Sequence, residues 1–144
     1  MTDNFVERLK ELMEDLKVSG RGLAKILNIG YTTVACWVSG NTKPRYDKLI
    51  QLAELNHSSI DYMLGLTDND KLTLSKNPKS FHERFIILSK ISGLSDYKIA
   101  QACGVAHSSV SRWRHEGTIP DTNALIKLAE LFDCSVEYLL GRTD

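Results

Sequence analysis

The segment from Ala106 to Thr118, AHSSVSRWRHEGT, holds the densest set of side chains able to do chemistry. Arg112 and Arg114 each carry a rigid fork of N–H donors. Ser108 and Ser111 donate or accept, and His107 and His115 bring imidazoles. A guanidinium engages two acceptors in one plane, and a hydroxyl adapts to either kind of partner, so the chemistry offered is hydrogen-bonded recognition. Bond-making chemistry has no comparable support. There is no Gly-rich phosphate loop and no nucleophile with a matched base, so the chain reads as a non-enzyme. Cys36, Cys103 and Cys134 are odd in number and at no metal spacing, and His57, His82, His107 and His115 form no HxxxH pattern. A disulfide framework, a metal site and a cofactor are therefore not expected.

The 144 residues include 18 Lys+Arg against 18 Asp+Glu, with 42% hydrophobic and 25% charged side chains. That describes a globular chain of one ordinary domain or two very small ones. No apolar run approaches the roughly 18 residues a bilayer span requires, so no membrane partner is expected. The opening MTDNFVERLK has no basic start followed by an apolar stretch, which predicts no secretory signal and a cytoplasmic location. Zero net charge argues against a broad basic surface but leaves room for a local basic patch.

The chain repeats itself. Residues 5–68 align with 81–144 at a constant offset of 76 without a gap, and about a third of the 64 pairs are identical. Phe5 meets Phe81, Trp37 meets Trp113, Pro44 meets Pro120, and LIQLAEL meets LIKLAEL. Two units are too few for a solenoid. The reading is two copies of one small domain, at 1–68 and 81–144. Residues 69–80, NDKLTLSKNPKS, serve as a linker. A plain tether is the first expectation for it; a strip docked through Leu72 and Leu74 is the second.

Within each copy the apolar spacing predicts five short helices and no sheet. In the second copy these fall at about 81–91, 96–103, 107–115, 121–131 and just after Ser135. Ser95 and Ser135 serve as N-caps, and Gly104, Gly117, Pro120 and Gly141 punctuate. In the first copy Ser19, Asn28, Gly40, Pro44, Ser59 and Gly65 do the same. Ala24 and Ala100 mark a close crossing of helices two and three. Asn28 and Gly104 then fill a turn that suits a positive φ. Val34 with Trp37, and Ala106 and Val110 with Trp113, supply the inward side of helix three. A steep helix crossing over a tight turn, with the outer side of the second helix left free, is a helix-turn-helix.

With KIAQACGVAHSSVSRW, the TIP and TKP turns, LAEL, and the closing VEYLLG and IDYMLG in hand, the chain resembles the λ-repressor/Cro-like helix-turn-helix family, twice over nearly its whole length. The resemblance implies an all-α fold of two five-helix λ-repressor-like DNA-binding domains joined by a short linker. It implies a sequence-specific transcriptional regulator of double-stranded DNA, most simply a repressor, with helix three in the major groove. The expected base contacts in the second copy are His107, Ser108, Ser111 and Arg112, with Arg112 suited to guanine. Ser95, Lys98, Arg114, His115 and Thr118 are its expected phosphate contacts.

The matching face of the first copy is Tyr31, Thr32, Thr33, Ala35 and Cys36, with Cys36 where the second has Arg112 and no cation on the helix. Its expected phosphate contacts are Ser39, Lys43, Arg45 and Lys48. Two readings stay open: the first copy grips the backbone while the second reads bases, or the first copy serves dimerisation or a protein partner. The second belongs to a wider alternative, a protein-interaction module such as an antitoxin, anti-repressor or phage inhibitor. A free linker from Leu66 to Ser80 could reach roughly 45–50 Å, enough for an intramolecular pseudo-dimer on successive grooves; a homodimer is equally open. Trp37 and Trp113 read as core, Cys103 as core, Cys36 as a small neutral residue, and Tyr62 and Tyr138 as seals of the bundle.

Overall fold

The computed structural model describes residues 4–144. Residues 1–3, which open the first copy and the N-terminal stretch read above, lie outside the described residues. The helices run α1 Asn4–Leu16, α2 Gly20–Leu27, α3 Tyr31–Val38, α4 Tyr46–Leu55, α5 Ile60–Met63, α6 Phe81–Ser92, α7 Asp96–Cys103, α8 His107–His115, α9 Thr122–Leu131 and α10 Val136–Leu139. No strand occurs among the described residues, and no helix is long and apolar enough to cross a membrane. The chain divides into two compact units, the first closing at Lys71 and the second opening at Leu72.

Local chemistry sets the helix starts. Ser19, Ser59, Ser80, Ser95, Asp121 and Ser135 each hold an extended backbone and accept an N–H from three residues on. Each such cap stabilises its helix by about 1 kcal/mol. The helix two to helix three turn closes identically in both units. Asn28 and Gly104 sit in the left-handed region, at φ 57° and 67°. Ile29 N–H then reaches Ala24 O at 2.9 Å, and Val105 N–H reaches Ala100 O at 3.1 Å. These bonds satisfy helix-end carbonyls and turn the chain sharply into helix three. An ammonium stands by each helix-two end. Lys48 Nζ donates to Leu27 O at 3.2 Å, and Lys127 Nζ lies 3.4 Å from where a Cβ on Gly104 would sit. Burial pushes the neighbouring Cys103 thiol above its ordinary pKa, opposed by the Lys127 charge.

Each unit closes around one core. In the first, Phe5, Leu9, Leu23, Val34, Leu49, Leu52 and Ile60 are fully buried, with Trp37 nearly so; in the second the same holds for Phe85, Ile99, Val110, Leu125, Leu128 and Val136, with Trp113. Phe85 meets the Trp113 ring edge-on at 6.0 Å. Ala106 departs from the expectation that it faces the core. It is the exposed N-cap of α8, outside the helical periodicity that the reading applied to it. An arginine on a tyrosine seals each bundle, with Arg8 over Tyr62 at 3.7 Å and Arg84 over Tyr138 at 3.8 Å. The hydrogen-bond partners differ: Arg8 pairs with the Asp68 carboxylate, and Arg84 donates to the backbone carbonyl of Thr143.

The linker is not a plain tether over its whole length. Ser75 N–H donates to Arg142 O at 2.8 Å, Lys79 N–H to Gly141 O at 3.0 Å, and Thr143 Oγ1 to Thr73 O at 2.8 Å. Hydrogen bonds carry this docking, with Leu74 exposed and Leu72 half-buried. That shortens the free segment on which the pseudo-dimer reach was reckoned. The crossing is close: Gly141, at φ 77°, lies against the Lys79 carbonyl with no space for a Cβ. In the first unit Gly65, at φ 74°, lies against the Asn4 side chain, again with no space for a Cβ.

Arg114 has partners on two other helices. Its guanidinium grips Asp96 in a two-pronged ion pair, with contacts at 2.6 and 3.0 Å, and reaches Ser89 Oγ at 3.3 Å. The Arg114 carbonyl accepts from His82 Nε2 at 2.6 Å. Arg114 thus braces α8 against α7 and α6.

Three outcomes follow in denaturant titrations. Gly141→Ala lowers the stability of the second unit by about 2 kcal/mol or more. Gly93→Ala, at a positive φ but with nothing within 4 Å of the added Cβ, costs about 1 kcal/mol. Arg114→Ala and Asp96→Ala each cost about 1–2 kcal/mol, and the double variant loses little more than either, because both remove one interaction.

Candidate nucleic-acid interface

In the second unit, α8 turns Val110 and Trp113 inward and leaves His107, Ser108, Arg112 and His115 exposed, with Ser111 half-buried beside them. The inward pair is held by the core, so the outward set is carried on a fixed helix. Thr118 is exposed beyond the helix end. Arg112, Arg114 and His115 all lie in the last turn, where cations favour the negative end of the helix dipole. Ser95 Oγ is occupied as an acceptor by Lys98 N–H at 3.2 Å, while the Lys98 side chain is exposed. Of the expected phosphate contacts in this unit, Arg114 is held in an ion pair with Asp96. The sequence placed Arg114 beside the outer face because one helical wheel does not show the acid on the preceding helix.

In the first unit, α3 leaves Tyr31, Thr32 and Thr33 exposed at its start, and Ala35 and Cys36 half-buried. Ser39 Oγ donates to Cys36 O at 3.0 Å, closing the helix end. Lys43 is half-buried and Arg45 is exposed at the start of α4. Lys48 Nζ donates to Leu27 O and to Gln51 Oε1 at 3.3 Å, which gives its ammonium a part in capping α2.

Two residues on this side escaped the sequence reading. Arg21, second in α2, lies over the Tyr31 ring with its guanidinium carbon 4.3 Å from the centroid. A cation thus stands at the face that the sequence read as uncharged. Tyr97 occupies the matching place in α7 and is 67% exposed. Both were missed because the reading took the outer face from helix three alone. The available signal was an exposed polar or aromatic residue two positions after each Ser cap.

Comparisons with known proteins agree with this geometry. Residues 90–139 match the family described as helix-turn-helix, and residues 6–71 match the bacteriophage CI repressor helix-turn-helix domain. A relative from Bacillus subtilis, "Uncharacterized HTH-type transcriptional regulator YobD", is 36% identical over 81 residues, covering 56% of this chain and 72% of the relative. No solved structure matches. With a helix-turn-helix match in each half and a regulator among its relatives, the chain belongs to the λ-repressor/Cro-like helix-turn-helix family of DNA-binding transcriptional regulators, and carries two such domains in tandem.

Proposed function

We propose that the chain is a sequence-specific repressor that reads the major groove of double-stranded DNA with α8 and holds the duplex backbone with its first unit. One observation carries the reading. α8 exposes His107, Ser108 and Arg112 on one side while Val110 and Trp113 are buried on the other. A groove-reading helix needs that division, with a rigid apolar seat and a free polar edge. Arg112 is the base reader, its fork matched to the two acceptors of guanine. His107 and Ser108, at the helix start, contact neighbouring bases with Ser111. Lys98, His115 and Thr118 sit at the backbone, with Ser95 at the start of α7. In the first unit Tyr31, Thr32 and Thr33 meet bases, Ala35 and Cys36 pack beside them, and Ser39, Lys43 and Arg45 lie toward phosphates. The cation over Tyr31 supports a duplex-holding role for this unit over a purely protein-binding one.

Selection of duplexes from a randomised pool, followed by footprinting, tests the reading. It yields a preferred site and the number and spacing of protected grooves, and those decide between a pseudo-dimer and a homodimer. On the selected site Arg112→Ala weakens binding by about 1–3 kcal/mol and relaxes one base position. Lys43→Ala weakens binding to selected and unrelated duplexes alike and makes the salt dependence shallower by about one unit of slope. An Arg112→Ala protein that titrates the selected site as wild type does would remove the assignment.

A further inference from the structure

We propose that the outer side of α6 is a self-pairing surface, on which a second copy of this chain docks its own α6 antiparallel across a twofold axis beside Ile87. The inference goes beyond the groove-reading proposal and needs no DNA.

Apolar side chains left outside are the first observation. α6 spends Phe81 and Phe85 on the core, yet Ile87 is 46% exposed and Ile91 is 78% exposed. Four residues apart on a helix, they share one side. Glu83 and Lys90, also exposed, share that side, one turn before Ile87 and one turn after it. Isoleucine is a poorer helix former than glutamate or lysine, so the helix itself gains nothing from it at these places. A surface helix carries one apolar stripe, and α6 carries a second.

The repeat shows that the fold does not require the second stripe. The positions of α1 that match Glu83, Ile87, Lys90 and Ile91 hold Glu7, Glu11, Glu14 and Asp15, all exposed. The same helix of the same bundle thus stands with four acids there. Those acids repel a second α1, which confines the pairing to α6.

The charge pattern names the occupant. Among the described residues neither Glu83 nor Lys90 has an ionic partner. They are opposite in sign, with Ile87 between them. A twofold axis beside Ile87 reverses one copy against the other and sets Glu83 of each over Lys90 of the other, around the isoleucines. A partner of one sign would match only one of these charges; a second α6 matches both. The patch is two turns of helix, small against the roughly 1,200–2,000 Å² of a stable interface, so the pair is weak and concentration-dependent.

α8 packs on another side of α6. Arg114 donates to Ser89 Oγ, and its carbonyl accepts from His82. Ile87 and Ile91 stand two residues either side of Ser89, roughly 160° round the helix from it. Pairing therefore uses the side of α6 turned away from the groove-reading helix.

Sedimentation velocity of the full chain without DNA, across about 1–500 μM, tests the proposal. The average mass climbs from that of one chain toward that of two. Ile87→Glu with Ile91→Asp installs an acid at each place, as the first unit has, and stays monomeric throughout with an unchanged helical circular-dichroism spectrum. Glu83→Lys and Lys90→Glu each weaken self-association by about tenfold or more, because each sets like charges across the axis twice. An equimolar mixture of these two variants associates again, and so does the chain carrying both changes. A wild-type chain that is monomeric at every concentration overturns the proposal and leaves this side to an unlike partner. Self-association that survives Ile87→Glu with Ile91→Asp overturns it too, as do charge variants that associate like wild type. With no duplex present, a monomer leaves the groove-reading proposal standing, and a chain without DNA preference leaves this one standing.

Discussion

Two buried side chains per helix hold the arrangement in place: Val34 with Trp37 in the first unit, Val110 with Trp113 in the second. Helices of eight or nine residues do not persist alone in water, where the cost of the first turn outweighs the few bonds that follow. α3 and α8 exist because their apolar sides are taken up by the core. That same burial fixes which side chains remain outside. The outward set of side chains is thus a by-product of packing, and any change that loosens the tryptophan seat would rotate or melt that edge.

Much of the architecture was legible because the chain states it twice. A gapless offset fixes Asn28 against Gly104 and Ser19 against Ser95, so a weak local signal in one copy is checked by the other. The observed spans of α7 and α8 are those the spacing predicts. The inward set of α8 was legible except at Ala106, where the helical period does not yet apply. What the spacing could not supply were partners contributed by other helices. Arg114 meets an acid on α7, Lys48 meets a carbonyl at the end of α2, and Arg21 meets a ring on α3. Each is a long-range pairing, and a wheel drawn for one helix at a time has no means to show it.

The two copies have kept the scaffold and diverged in how helix two and helix three are joined. The second uses a charged clasp beneath α8, between Asp96 and Arg114. The first uses a cation on an aromatic ring at the solvent edge of α3. Both restrain the same crossing, but they leave different groups outside. Divergence of this kind needs no change in the buried apolar core, because the positions concerned sit at helix starts and ends.

The hydrogen bonds that join Thr73, Ser75 and Lys79 to the closing turn of the second unit have one more consequence. The stretch duplicated in sequence begins at Phe81, whereas the body closed in space begins at Leu72. The unit of inheritance and the unit of folding therefore do not share an edge. A gene fragment cut at the repeat boundary would encode a module stripped of the strap that crosses its final glycine.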